Sequence, residues 1–217
     1  MGIPERKERT RQLMRQAILD TAKRLFVEHS FEEVSIRRIA EVIEYSPRTI
    51  YLYFQDKDDI LHALHTEGFD ELYQRQLATL DVEDPLERLR RHAEVYIQFA
   101  LDNPELYDLM FIMRGPAKKI KQRDEWEVGK RAYRFLVSQV KECMDKGLLP
   151  MGDPRKTSFA LWSLTHGMVA LTIRERYLLL PAEQAASYME DTINYIIACL
   201  QRDARECRPI TTGVADR

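Results

Sequence analysis

Arg48, Thr49, Tyr51 and Lys57 fall within ten residues and carry guanidinium, hydroxyl, phenol and ammonium donors. Such groups donate to phosphate oxygens or to the exposed edges of bases. Lys57 follows Asp56, a capping type, so it belongs to the first turn of a helix. There the free backbone N–H groups and an ammonium can hold a phosphate together. Ser35 caps an earlier helix in the same way. Nothing comparable points to catalysis. The chain has no glycine-rich phosphate loop, no nucleophile motif and no carboxylate pair placed to perturb its own acidity, and His62 with Glu67 is the best that an enzyme reading can offer. His62 and His65 lack a third ligand at matching spacing and read as a solvated face. Cys143, Cys199 and Cys207 show neither metal-ligand spacing nor a disulfide framework. No enzymatic activity, cofactor or metal is expected.

The stretch that must hold these donors is SIRRIAEVIEYSPRTIYLYF, residues 35–54. Ile36, Ile39, Ala40 and Ile43 repeat with the period of one buried helical stripe. Ser46-Pro47 then supplies a cap and a proline at the first helical position. Met14, Ile18, Ala22, Leu25 and Phe26 line one face of a preceding helix, and Ile50 and Phe54 close the bottom from the third. Three short helices around a small core, with a tight break between the last two, make a helix-turn-helix, whose last rod fits a DNA major groove. Asp84-Pro85, Asn103-Pro104 and Asp153-Pro154 start further helices, and Gly147 stops one. The spacing predicts nine helices, at about 10–29, 35–43, 47–53, 57–80, 85–102, 104–112, 121–146, 154–179 and 182–204, a basic loop at 113–121 and a disordered tail after Arg205. The fold class is all-α: a three-helix DNA-binding domain at 1–56, a helical bundle for ligand binding and dimerisation at 57–204, and the tail at 205–217.

Residues 18–61, with Ala22, Leu25 and Phe26, then Ile39 and Ala40, then S-P-x-T-I-Y-x-Y-F and the following lysine, resemble the DNA-binding domain of the TetR family of bacterial transcriptional regulators. The resemblance implies phosphate contacts for Ser35, Thr49, Tyr51, Tyr53 and Lys57, and base-edge contacts for Arg37, Pro47 and Arg48, with Ser46 in the same set and Tyr51 able to do either. Two departures stand out. Glu44 occupies the turn where the family usually places glycine, at about 1–2 kcal/mol if the left-handed geometry is kept. Arg48 fills a position that is often small, and reads a guanine or grips a phosphate. Ahead of the domain, Arg6, Lys7, Arg9, Arg11 and Arg15 outnumber Glu5 and Glu8, as a minor-groove arm or a solvated tail would.

ALWSLTHGMVALTI, residues 160–173, resembles the C-terminal domain of a TetR subgroup marked by the spacing of Trp162, His166 and Gly167. It is apolar nearly all round, and Ser163, Gly167 and Ala170 form a strip that permits close approach of another helix. Ala185, Met189, Ile193, Ile196 and Leu200 add an apolar stripe on the last helix. A homodimer through 154–179 and 182–204 is expected, closed by a two-fold axis. The resemblance implies a small-molecule effector in a cavity whose enclosing helices carry Phe69, Tyr96, Met110, Phe111, Tyr133, Trp162 and His166; His166 is a ligand donor or a satisfied core histidine. The partners expected are a palindromic double-stranded DNA operator, a second copy of the chain and a small hydrophobic effector that releases a repressor. A helical interaction adaptor is the alternative. Among 217 residues the formal net charge is -2, so attraction to DNA must be local. No apolar run approaches the ~20 residues of a membrane span, and the N-terminus lacks a secretory signal, so a cytoplasmic protein is expected.

Overall fold

The computed structural model of the protein describes residues 3–29, 31–112, 126–176, 181 and 184–206. Among them are nine α-helices and no strand: α1 (Ile3–Glu28), α2 (Ile36–Val42), α3 (Pro47–Ile50), α4 (Lys57–Leu77), α5 (Pro85–Asp102), α6 (Pro104–Phe111), α7 (Glu127–Asp145), α8 (Pro154–Ile173) and α9 (Ala185–Glu206). A 3₁₀ turn, Ala78–Asp81, finishes the stretch expected as the end of α4.

Side-chain caps set most of the starts. Ser35 Oγ accepts from Arg38 N at 3.1 Å, Ser46 Oγ from Thr49 N at 3.3 Å, and Asp84 Oδ1 from Glu87 N at 2.8 Å. Asp56 takes Asp59 N at 2.7 Å, and Asp59 reaches back to Gln55 N at 3.3 Å, a reciprocal arrangement that fixes the entry into α4. Asn103 precedes α6 without a side-chain capping bond.

Two of the boundaries that differ from the sequence expectation have a clear local cause. The first helix begins at Ile3 rather than near residue 10, with Pro4 in its opening turn, where proline's missing N–H is no loss. Thr10 Oγ1 to Arg6 O at 2.9 Å and Gln12 to Glu8 at 3.4 Å stitch the added turns. At the other end of the chain α8 stops at Ile173, because Glu175 takes a left-handed φ of 52°. Glu175 N then bonds Thr172 O at 3.0 Å and Arg176 N bonds Leu171 O at 2.9 Å, a Schellman stop without glycine. Gly147, at φ 67°, ends α7 through the same pair of bonds. The whole of the expected basic loop, the tail beyond Glu206, residues 121–125 of the expected seventh helix, 177–179 of the eighth and 182–183 of the ninth lie outside the described residues.

The chain divides into two compact units: residues 1–71 with 103–128, and residues 72–102 with 129–217. The division falls inside α4. In the first unit Ile18, Leu19, Ala22 and Leu25 of α1 pack with Ile39 and Ala40 of α2, Ile50 of α3, Phe54, and Ile60, Leu61 and Leu64 of α4. Leu109 of α6 joins the same cluster. Gly68 permits that helix its approach: a Cβ there would stand 2.6 Å from Met110 Sδ and 3.1 Å from Leu106 Cδ1.

The second unit is built on α5, α7, α8 and α9. Arg88, nearly buried, is its polar knot: Nε donates to Gln139 Oε1 at 2.6 Å, Nη1 to Val82 O at 3.0 Å, and Nη2 to Glu142. A buried guanidinium is tolerable only when its donors are used, as here. Cys143 is equally enclosed; burial pushes its thiol up to about 11, which makes it inert. The stripe Ala185, Met189, Ile193 and Ile197 of α9 is buried within the chain, against α5 and α8. Of the stripe expected from sequence, Ala185, Met189 and Ile193 are therefore covered by the chain itself, while Ile196 and Leu200 are half-buried. Among the described residues no helix is long and apolar enough to cross a membrane.

Candidate nucleic-acid interface

The expected donors stand on two short, well-anchored helices. Ile39 and Ala40 bury one side of α2, with Val42 and Ile43 packed beside them, and Ile50 buries one side of α3. Ser35, Arg37, Ser46 and Arg48 are exposed, and Pro47 and Thr49 are half-buried. Tyr51, directly after α3, is 56% exposed, a high value for an aromatic side chain. Ser46 and Thr49 hydroxyls lie 3.1 Å apart, so the cap of α3 also orients Thr49.

The turn between α2 and α3 closes on Glu44. Its φ is 59°, with Glu44 N bonded to Glu41 O at 3.2 Å and Tyr45 N to Ala40 O at 2.9 Å. These are the two bonds of a Schellman stop, in which the left-handed residue is ordinarily glycine. The geometry is therefore kept despite the side chain, and the strain anticipated from sequence is present.

Tyr53 and Lys57 are placed differently from their companions. Tyr53 is half-buried against the core and lines a cleft of about 440 Å³ with Arg15, Phe54, Asp59, His62, Glu67 and Asp70 among others. Arg15 stacks over the Phe54 ring at 5.0 Å and stands 3.8 Å from Glu67. Burial raises the Glu67 carboxyl above its ordinary range, more than the neighbouring Gln16 and Arg15 lower it. Lys57 points into the protein: Nζ donates to Phe31 O at 2.6 Å and Val34 O at 2.9 Å, lies 3.5 Å from Glu32 O, and sits 4.1 Å from the centre of the Phe31 ring. The expected ammonium free for phosphate is not what the structure holds.

The pattern described as bacterial regulatory proteins of the tetR family matches residues 18–64, and a tetracyclin repressor-like C-terminal domain matches residues 89–193. The chain belongs to the TetR family. The HTH-type transcriptional repressor AcnR of Corynebacterium glutamicum is 30% identical over 107 residues, 49% of this chain and 50% of that protein. The HTH-type transcriptional repressor Rv1474c of Mycobacterium tuberculosis is 34% identical over 58 residues, 27% of this chain and 31% of its own. This chain spans about half the length, or less, of the curated relatives it matches. Among solved structures, a protein of unknown function from Rhodococcus sp. RHA1 superposes with a TM-score of 0.71 at 22% identity, over 86% of this chain and 95% of that one. The fatty acid degradation regulator FadR of Bacillus halodurans gives 0.68 at 19% identity, over 82% and 93%. These likenesses carry the fold. The TetR family is one of regulators, not of enzymes.

In this TetR-family chain the seven residues expected around an effector fall in two groups. Phe69, Met110 and Phe111 belong to the first unit, with the Phe69 and Phe111 rings 5.0 Å apart and Trp126 5.9 Å from Phe69. Tyr96, Tyr133, Trp162 and His166 belong to the second. Trp162 Nε1 donates to Tyr96 Oη at 3.4 Å, and the same hydroxyl is hydrogen-bonded to His166 Nδ1 at 3.1 Å, with the direction set by the imidazole tautomer. Tyr133 Oη donates to Arg155 O at 2.8 Å. Burial lowers the His166 pKa, which favours the neutral ring. His65, expected on a solvated face, is buried between the His62 and Phe69 rings, and burial with the nearby His62 charge lowers its pKa to about 4. Among the described residues no group of three acidic, His or Cys side chains is placed to hold a metal.

Sequence reasoning missed one polar pair. Gln76 and His92, both buried in the second unit, meet at 3.2 Å, which leaves Gln76 Oε1 and His92 Nδ1 without a partner among the described residues. The only trace in the sequence is position: Gln76 continues the buried stripe of Phe69 and Leu72, and His92 that of Leu89 and Tyr96. A polar residue in an apolar stripe is the signal that was there to read.

Proposed function

We propose that this TetR-family regulator is a repressor that binds a palindromic DNA operator as a homodimer and is released by a small, largely apolar effector. Residues 1–56 read the DNA, and 57–204 carry the effector site and the dimer interface. The observation that carries the reading is the outward set on α2 and α3. Arg37, Arg48 and Tyr51 are exposed beside the caps Ser35 and Ser46, on helices too short to persist without the core beneath them. Pro47 and Thr49 complete the contact surface and Tyr53 borders it. One such helix buries too little to specify a site; two, held about 34–36 Å apart, read two half-sites.

Dimerisation is supported by what the second unit leaves uncovered. Phe159 (58%), Leu171 (48%), Tyr188 (49%) and Tyr195 (64%) are exposed on α8 and α9. Ser163 is exposed between the first two, and a Cβ added at Gly167 would meet nothing within 4 Å. Large exposed side chains beside small ones are what a mated helix pair requires. The effector reading rests on the aromatic groups around Trp162 in the second unit, with the unpartnered atoms of Gln76 and His92 in that unit as polar anchors for a ligand that bears a donor and an acceptor. Effector and operator are then coupled, by about 1–3 kcal/mol and reciprocally.

Selection of bound duplexes from a random pool tests this. The expected product is a two-fold symmetric site whose binding weakens steeply with salt. Recovery of no preferred sequence, by a protein that sediments as a monomer, overturns it.

A further inference from the structure

Lys57 opens α4, yet its side chain reaches back to the connection between α1 and α2. An ammonium has three N–H donors and no acceptor. Here two of them bond the Phe31 and Val34 carbonyl oxygens at 2.6 and 2.9 Å, Glu32 O lies at 3.5 Å, and the Phe31 ring covers the cation at 4.1 Å. Those carbonyls belong to no helix, so without the lysine they lack that charged partner. The next residue, Ser35, caps α2 and so sets where its first turn lies. The first turn of α4 is itself fixed by the Asp56 and Asp59 bonds.

We propose that Lys57 is a positioning residue of the DNA-reading surface: its ammonium clamps the α1–α2 turn and thereby fixes the N-terminus of α2, with Ser35 and Arg37, to the N-terminus of α4. The assignment rests on the DNA reading above and gives the lysine a role other than phosphate contact. It has a regulatory consequence. The start of α4 and the start of α2 move as one body, so any displacement of α4 reaches Ser35 and Arg37 directly and does not have to pass through α3.

The test uses the full-length protein, a duplex selected by that protein, and the variants Lys57→Met and Lys57→Arg. Methionine keeps an apolar stem beside Phe31 but removes charge and donors; arginine keeps a cation but not the point geometry. Binding is measured against salt at a temperature where circular dichroism shows each variant folded, and amide hydrogen exchange is followed at residues 35–38. The expected result for Lys57→Met is affinity lower by about tenfold, faster exchange at 35–38 and an unchanged salt slope. Lys57→Arg gives a smaller loss with the same slope. A slope reduced by about one, with exchange unaltered, makes the lysine a phosphate ligand and overturns the proposal. Unchanged affinity alongside reduced stability overturns it too, since the clamp then serves the fold alone. A parent protein that selects no duplex overturns the DNA reading itself, and this assignment with it.

Discussion

Replacing Glu44 with glycine should stabilise the protein. Glu44 sits at φ 59°, just beyond α2, where its N–H makes one bond of the stop and the N–H of Tyr45 makes the other. A side chain in that conformation costs about 1–2 kcal/mol, because Cβ crowds the following carbonyl. Glycine removes that cost and adds roughly 0.5–1 kcal/mol of unfolded-state entropy. The difference is a net gain of about 0.5–1 kcal/mol, worth roughly 2–6 °C for a unit of this size. Urea and thermal unfolding give the total, and hydrogen exchange of the amides of α2 locates it. Two controls isolate the backbone from the charge: Glu44→Gln removes the carboxylate but keeps the strain, and Glu44→Ala keeps Cβ alone. Both should stay within about 0.5 kcal/mol of the parent. If Glu44→Gly proves no more stable than Glu44→Gln, the strain argument is wrong.

Four further outcomes are expected. Gly68→Ala should destabilise by about 1 kcal/mol net, since overpacking against Met110 and Leu106 outweighs the better helix propensity of alanine; in a Met110→Ala background the same change should become neutral or favourable by urea titration. Stability should fall on acidification between about pH 6.5 and pH 4. His65 and His92 have folded pKa values lowered to about 4, chiefly by burial, so in that window the unfolded chain binds more protons and stability rises with pH. His92→Leu should flatten the dependence, and an unchanged urea midpoint profile would contradict the burial. Phe159→Glu with Tyr195→Glu should shift the sedimentation equilibrium to monomer without loss of helicity; a persistent dimer would place the interface elsewhere. Arg48→Ala should relax preference at one base position of the selected site, by about 1–3 kcal/mol of discrimination, whereas a uniform loss over all sites would make Arg48 a phosphate contact.

The parts of this fold that were legible in sequence are those written in local chemistry. Ser35, Ser46, Asp84 and Asp153 cap where their types and spacing said, and the stripe Ile39, Ala40 with Ile50 is the core of the small domain. The left-handed Glu44 was legible because the missing glycine left a mark. Glu175 left none: a glutamate in the same conformation has no sequence signature, so periodicity alone carries α8 past its true end. Pro4 was a start signal passed over, because the charged residues after it read as a tail. Long-range partners were the blind spot. That Lys57 turns to carbonyls some two dozen residues earlier, that His65 is enclosed, and that Gln76 meets His92 are properties of packing. The α9 stripe shows the same limit, since apolar periodicity marks a buried face without naming what buries it.

Leu109 in the core of the first unit has a practical consequence for anyone who would transplant the DNA-reading head. A fragment ending near residue 56 loses α4's Ile60, Leu61 and Leu64 together with a plug borrowed from a helix some fifty residues downstream. What remains is a three-helix stub with an open greasy floor. Chimaeras that swap specificity between relatives should therefore be joined so that α4 and α6 travel with the head.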